Sequence, residues 1–375
     1  MGSSAIACLG FGAMVACGCS PANVQSFDAG AGDEGGGSAD VGSDAPNSGS
    51  SGGDDAPRSD SPIVDASSLD DTWSPDSSDA WNDASVEGGP VDDSGLPAAM
   101  PSAGCRKTPA QSLQMFVQYT TTIGNTSRVY RVWLPAGYDP QRSYRTIFLG
   151  HGCGDNDGCA ACGPAGTPFP GLETIADAIL VAMVAEGSCF DNGDGTTSSP
   201  ELLYFDQVLK EVSASFCVDQ ARVFVGGFSS GSWVSHLIGC ARAGTGPGKV
   251  RAQVTATGEW PDPPPCTGPI ASILAHDMND TNNPFSAGEV ARDHILQTNH
   301  CSQQTVPYSY DGVTPATGSS GNCAITSPGC QPCVEYQGCM TGYPVIWCPT
   351  NGNNPAHSRQ VPITTVGLWK FVAQF

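Results

Sequence analysis

Arg222-Val223-Phe224-Val225-Gly226-Gly227-Phe228-Ser229-Ser230-Gly231-Ser232-Trp233 is the stretch on which the reading of this chain turns. An apolar run with β-branched residues leads into Gly227-Phe228-Ser229-Ser230-Gly231, a G-x-S-x-G pattern, and a helix-compatible segment from Ser232 to Ala241 follows at once. Strand, sharp turn and helix in that order put a serine at a strained corner, and glycines two residues either side let the strand and the helix approach closely. Ser229 is therefore the candidate nucleophile. A bare G-x-S-x-G also arises by chance in a chain with 47 Gly, so the pattern needs partners elsewhere.

Outward from this stretch the chain continues to alternate. Upstream, Ser112 to Thr121 and Arg128 to Leu134 read as strands, Thr146 to Leu149 as a short buried strand, Leu172 to Ile179 as a helix and Leu180 to Val184 as a strand. Glu201 to Phe216 is amphipathic at helical spacing. Downstream, strands are expected at Ala252 to Thr257, Ile270 to Ala275 and Pro344 to Cys348, with helices at Ala287 to Thr298 and Ile363 to Phe375. The Cys-rich stretch 301–342 reads as irregular. Strands alternating with helices predict a mostly parallel sheet covered on both faces, an α/β-hydrolase fold over residues 101–375.

Such a fold presents its chemistry in the order serine, carboxylate, histidine, each after a strand. A serine hydroxyl needs an imidazole to take its proton, and the imidazole needs a carboxylate to orient it and stabilise its cation. The carboxylate candidates lie in His276-Asp277-Met278-Asn279-Asp280. Asp277 follows the strand almost directly, and Asp280 stands three residues on. Of the later histidines, His294 falls within a helix and His300 at its end, whereas His357 sits in the loop between the last strand and the last helix, where the base belongs. Two backbone amides are expected to face the oxyanion: that of Ser230, after the nucleophile, and that of Cys153 in the His151-Gly152-Cys153-Gly154 loop. This chemistry requires no metal and no organic cofactor.

Composition divides the 375 residues unevenly. Ala5 to Ala16 is an apolar run of secretory length, too short to span a bilayer, and Ala16-Cys17-Gly18-Cys19-Ser20 is similar to a lipobox with Cys19 as the acylated residue; no Lys or Arg precedes the run. Residues 1–19 thus read as an export signal of lipoprotein type. Residues 20–100 carry 17 acidic residues against the single Arg58, about −16 of the formal net charge of −22, and read as a disordered, self-repelling tether. The protein is expected to be exported, touching membrane only through a lipid on Cys19. Nucleic acid is not expected as a partner, because basic patches with interleaved aromatics are lacking. Of 17 cysteines, 14 remain after processing and acylation, an even number that points to disulfides and an oxidising compartment. The C-x-x-C pairs Cys159/Cys162 and Cys330/Cys333 leave a four-cysteine zinc site as the lesser alternative.

Arg131-Val132-Trp133-Leu134-Pro135, His151-Gly152-Cys153, Val218-Asp219-Gln220-Ala221-Arg222-Val223 and Gly227-Phe228-Ser229-Ser230-Gly231 resemble the polyhydroxybutyrate depolymerase-like esterases, the group that also contains feruloyl and acetylxylan esterases. The resemblance covers roughly Gln111 to the C-terminus. It implies a serine esterase, with the H-G-x-x-D acid motif falling on His276 to Asp280 and the histidine motif on Trp347-Cys348 and His357. Asp277 stands where that family has Gly, which keeps it as a competitor of Asp280, and the loop before His357 is longer than the motif's. The feruloyl branch is the nearer one by its Cys-rich domain and by Asp280 to Cys301. It implies a hydroxycinnamoyl or acetyl ester on plant cell-wall polysaccharide as substrate, with Trp260 and Phe285 as candidate aromatic acyl contacts or, equally, packing residues. A polyhydroxyalkanoate depolymerase and an inactive glycan-binding surface protein are the competing expectations.

Overall fold

Alternate residues of the central strands feed two separate apolar layers, and that is what gives the molecule its architecture. In the computed structural model the strands are β1 (Val117–Ile123), β2 (Thr126–Trp133), β3 (Tyr144–Gly150), β4 (Ile179–Met183), β5 (Val218–Phe228), β6 (Ala252–Ala256), β7 (Ala271–Asp277), β8 (Thr305–Pro307), β9 (Val334–Tyr336) and β10 (Val345–Thr350). The helices are α1 (Leu172–Ile175), α2 (Pro200–Ser215), α3 (Ser230–Ala241), α4 (Phe285–Thr298) and α5 (Leu368–Val372). The described residues are 97–154, 169–190, 199–259, 263, 265–309, 333–350, 357 and 362–375. The export signal, the tether up to residue 96, Trp260, Cys159, Cys162, Cys330 and the loop on either side of His357 lie outside them.

Among the described residues the strands form one sheet in the order β1-β2-β4-β3-β5-β6-β7-β10-β9-β8. The central run β4-β3-β5-β6-β7-β10 is parallel, and antiparallel strands close both ends. Phe148, Val225, Leu274 and Trp347 point to one face and pack with Leu202, Phe205, Leu237 and Ile295 of α2, α3 and α4. Their neighbours Ile147, Phe224, Ile273 and Ile346 point to the other and pack with Leu172, Leu368 and Phe371. A period of two on strands buried on both faces is what makes these segments read as continuous apolar runs. This is the α/β-hydrolase arrangement, with helices on both faces.

Four expected elements change. The strand expected over Ser112 to Thr121 is β1, which starts only at Val117 and runs on to Ile123. The helix over Leu172 to Ile179 is a single turn, α1, because Ala176 is already extended and leads into β4. The stretch 301–342 contains β8 and β9, which add an antiparallel edge beside β10. The last helix begins as a π-helical turn, Pro362–Gly367, before α5. Residues 97–100, counted with the tether, hydrogen-bond to Asp219, Gln220 and Arg222.

Ten described cysteines pair as Cys105–Cys217, Cys153–Cys189, Cys240–Cys266, Cys301–Cys339 and Cys333–Cys348. Cys333 is thereby removed from a four-thiolate zinc site. A buried ion pair adds a polar pin: Arg128 of β2 meets Glu201 of α2 at 2.9 Å, with the guanidinium 4.0 Å above the Tyr204 ring. Removing one partner strands the other charge in a desolvated site. Glu201→Ala is expected to cost about 3–5 kcal/mol of stability, read from urea midpoints, while turnover per folded molecule stays near wild type. A shift within error would show that the pair is dispensable.

Candidate active site

Ser229 stands between β5 and α3 with φ 55° and ψ −121°. L-residues seldom adopt this backbone, which costs on the order of 1–3 kcal/mol and persists where the surroundings over-determine it. Here they do. A Cβ on Gly227 would meet the Gly231 carbonyl oxygen, and a Cβ on Gly231 would meet that of Gly150 at the end of β3. The two glycines thus allow α3 to start directly against the strand ends. The Ser229 amide donates to the Ala256 carbonyl of β6 at 3.0 Å, and the Ser229 carbonyl accepts from Ser232 and Trp233 in the first turn of α3.

The carboxylate comes from the turn after β7. Asp280 is buried, and its Oδ1 accepts from the amides of Asn282 (2.8 Å) and Asn283 (2.9 Å). Its Oδ2 lies 2.7 Å from His357 Nδ1, and His357 Nε2 lies 2.9 Å from Ser229 Oγ. The imidazole therefore bridges hydroxyl and carboxylate, its ring also 5.1 Å from that of Phe228. Asp277, the last residue of β7, turns its Oδ1 to the Asn279 amide within its own turn. His294 lies on α4 beside His236, their ring centroids 6.3 Å apart, and His300 lies just past the end of α4.

Ser230 opens α3, so its amide belongs to the helix N-terminus, where backbone N–H groups lack intrahelical acceptors. Its hydroxyl donates to the His151 carbonyl at 3.2 Å. Cys153 is tied to Cys189 in the loop after β4, and the Gly154 amide donates to Ser188. The His151 ring holds the same two loops together: Nε2 accepts from the Ala185 amide at 3.0 Å, which leaves the proton on Nδ1 for the Gly152 carbonyl at 2.7 Å. Phe285, the first residue of α4, is partly buried with its ring against His276 and Trp347.

No protein-family model matches the chain. Feruloyl esterase D of Neurospora crassa is 31% identical over 295 residues, which cover 75% of this chain and 92% of that protein. This chain belongs to the feruloyl esterase family. Feruloyl esterase C of Emericella nidulans is 29% identical over 239 residues, covering 63% of this chain and 80% of that one. Among solved structures, an acetyl xylan esterase from Aspergillus awamori has a TM-score of 0.47 at 12% identity, covering 68% of this chain and 99% of that one; that likeness is too distant to carry an argument.

Membership makes this member of the feruloyl esterase family a carboxylic ester hydrolase, and the electrostatics of its site suit that chemistry. Burial by itself would raise the Asp280 carboxyl. The hydrogen bond to His357, the Asn283 amide, the His357 charge and the Asn282 amide outweigh it and hold the group below its ordinary value. An acid kept ionised is what an orienting carboxylate requires. As for metals, His236, Cys240 and His294 bring three potential ligand atoms within 4.8 Å of one another, but Cys240 is bonded to Cys266, which removes the thiolate.

Two groups at this site carry little sequence signal. Asn282 and Asn283 act through main-chain amides, and the hint is the Asp280-Thr281-Asn282-Asn283-Pro284 string, turn-forming residues just before a helix. Trp233 lies one turn past Ser229, and its Nε1–H donates to Asn283 Oδ1 at 3.0 Å, a contact across 50 residues. Because the native Asp280 carboxyl lies below its unfolded value of about 3.9, its contribution to stability is present above that pH and is lost as pH falls through the lower native value. The urea-midpoint gap between wild type and Asp280→Asn is expected to be level in neutral and weakly acidic buffer and to close below about pH 4. A gap unchanged by acid would show that these bonds do not hold the carboxylate.

Proposed function

We propose that this protein is an exported serine esterase that hydrolyses hydroxycinnamoyl esters, or acetyl esters, carried on plant cell-wall polysaccharide. Ser229 is the nucleophile, His357 the general base and then acid, and Asp280 the orienting carboxylate. The observation that carries this reading is the His357 imidazole, 2.9 Å from Ser229 Oγ on one side and 2.7 Å from Asp280 Oδ2 on the other.

As Ser229 Oγ attacks the ester carbonyl, its proton moves to His357 Nε2, while Nδ1–H stays bonded to Asp280. The carbonyl π electrons go to oxygen, where the amides of Ser230 and Cys153 receive the developing charge; one such donor is worth roughly 3–4 kcal/mol. Collapse breaks the C–O bond to the sugar hydroxyl, which leaves with the proton from Nε2. Water then attacks the acyl-enzyme with His357 again as base, and the free acid departs as Ser229 recovers its proton. Placing nucleophile, base and carboxylate at the carboxyl ends of β5, β10 and β7 leaves the acyl group to approach across one edge of the sheet.

The relatives, which are named feruloyl esterases, support this substrate class. Export rests on the apolar run Ala5 to Ala16, and the disulfides among the described residues fit an oxidising compartment. Cys19 would carry the lipid and residues 20–96 would serve as the tether. None of the helices among the described residues is long and apolar enough to cross a membrane.

Initial rates on methyl ferulate, a short-chain nitrophenyl acetate and a hydroxybutyrate oligomer test the assignment. Methyl ferulate is expected to be the best of the three, and Ser229→Ala to lose about 10⁴-fold or more in kcat. Turnover retained in Ser229→Ala would refute the nucleophile, and preference for the oligomer would move the chain to polyester hydrolysis.

A further inference from the structure

Asn283 is 7% exposed and is held through three different groups. Its side-chain Oδ1 accepts the Trp233 indole N–H at 3.0 Å, its main-chain N–H donates to Asp280 Oδ1 at 2.9 Å, and its carbonyl accepts from His276 Nε2 at 2.9 Å. His276 is fully buried on β7, four residues before Asp280. The residue that presents an amide to the triad carboxylate is thus anchored to the strand behind it and to the helix of the nucleophile.

Trp233 in turn is rigid with respect to Ser229. It lies in the first turn of α3, its amide donates to the Ser229 carbonyl at 3.2 Å, and the helix cannot slide because Gly231 is packed against Gly150. A continuous path therefore runs from Ser229 through α3 to the Trp233 indole, across to the Asn283 side chain, and from the Asn283 amide to Asp280. It does not pass through His357. From these contacts we infer that Trp233 and Asn283 are positioning residues that set the separation of Ser229 and Asp280 before the imidazole bridges them; this rests on the triad reading above.

The physical need is plain. Hydrogen bonds of 2.7 and 2.9 Å to the two ring nitrogens of one imidazole tolerate only about 0.5 Å of error in where the outer groups stand. Asp280 sits on a turn and Ser229 on an elbow, joined within the sheet only through β6 between β5 and β7. The indole–amide bond is a second, direct connection on the helix side. Without it the Asn283 side chain is released, its amide can drift, and Oδ1 of Asp280 loses part of the pair of donors that aims Oδ2 at His357. Neither Trp233 nor Asn283 touches Ser229 Oγ or the imidazole in this network, so both act on the chemistry through Asp280.

The full-length enzyme is compared with Trp233→Phe, Asn283→Ala, the double variant and Ser229→Ala on a soluble acetyl ester, with active sites counted by a fluorophosphonate probe. Each single change is expected to lower kcat per titrated site about tenfold to a hundredfold with KM within about twofold. The acid limb of kcat/KM should move to lower pH, because a misaligned carboxylate stabilises the imidazolium less. If the indole–amide bond is the route, the double variant should be no worse than the poorer single within about twofold. Unchanged kcat per site and an unmoved acid limb in both singles would overturn the inference. So would a loss confined to the number of titratable sites, which marks a purely structural role. Should Trp233→Phe fail to fold, Asn283→Ala decides by the same two readouts. Turnover in Ser229→Ala would instead defeat the triad reading, a separate failure.

Discussion

The close approach of α3 to the ends of β3 and β5 is the constraint on which the remainder of this structure depends. It requires two positions without a side chain, Gly227 and Gly231, and it forces the residue between strand and helix into a left-handed conformation. Ser229 is that residue. Its strain is tolerated because the backbone on both sides is committed: the amide to β6, the carbonyl to the first turn of the helix. The same geometry sets the N-terminus of α3, beginning with Ser230, against the carboxyl ends of β3 and β5.

The other groups of the site are delivered to that edge by parallel strand order. Because β5, β6, β7 and β10 run the same way side by side, their carboxyl ends share one rim, where the turn carrying Asp280 and the loop carrying His357 converge beside Ser229. Covalent and polar ties then stiffen the rim. Cys153–Cys189 and the His151 ring fasten the loops after β3 and β4 to each other, and the Asn282 and Asn283 amides fasten the carboxylate. The site is thus built from loops whose freedom has been removed one bond at a time, which is how loop residues can hold so narrow a geometry.

The elements that the sequence made legible are those with strong period and strong punctuation. Residues 222–233 carry an apolar run, two glycines and a helix-compatible segment in direct succession, and β5, the elbow and α3 occupy that stretch. The amphipathic segment 201–216 is likewise a helix within a residue at either end. Leu172 to Ile179 misled because its apolar spacing suits a helix and a buried strand approach alike; burial of Ala176 and Ala178 under the second layer decided for the strand side. In 301–342, three-residue strands with Cys and Pro around them have too little pattern to register, and they exist only because β10 offers an edge to pair with.

By itself, then, the sequence determined the alternating architecture, the elbow at Ser229 and the short roster of residues able to serve beside it, because each depends on local pattern: period, glycine placement, chain order. Tertiary structure alone decided which members of that roster meet. Asp277 and Asp280 differ by three positions in one turn, and only the direction of that turn, set by the Asn282 and Asn283 amides, sends Asp280 to His357. The Trp233–Asn283 bond and the pairing of the described cysteines are of the same kind. Each joins residues far apart in the chain through a contact that no local pattern encodes, since its partner is chosen by how strands and helices pack.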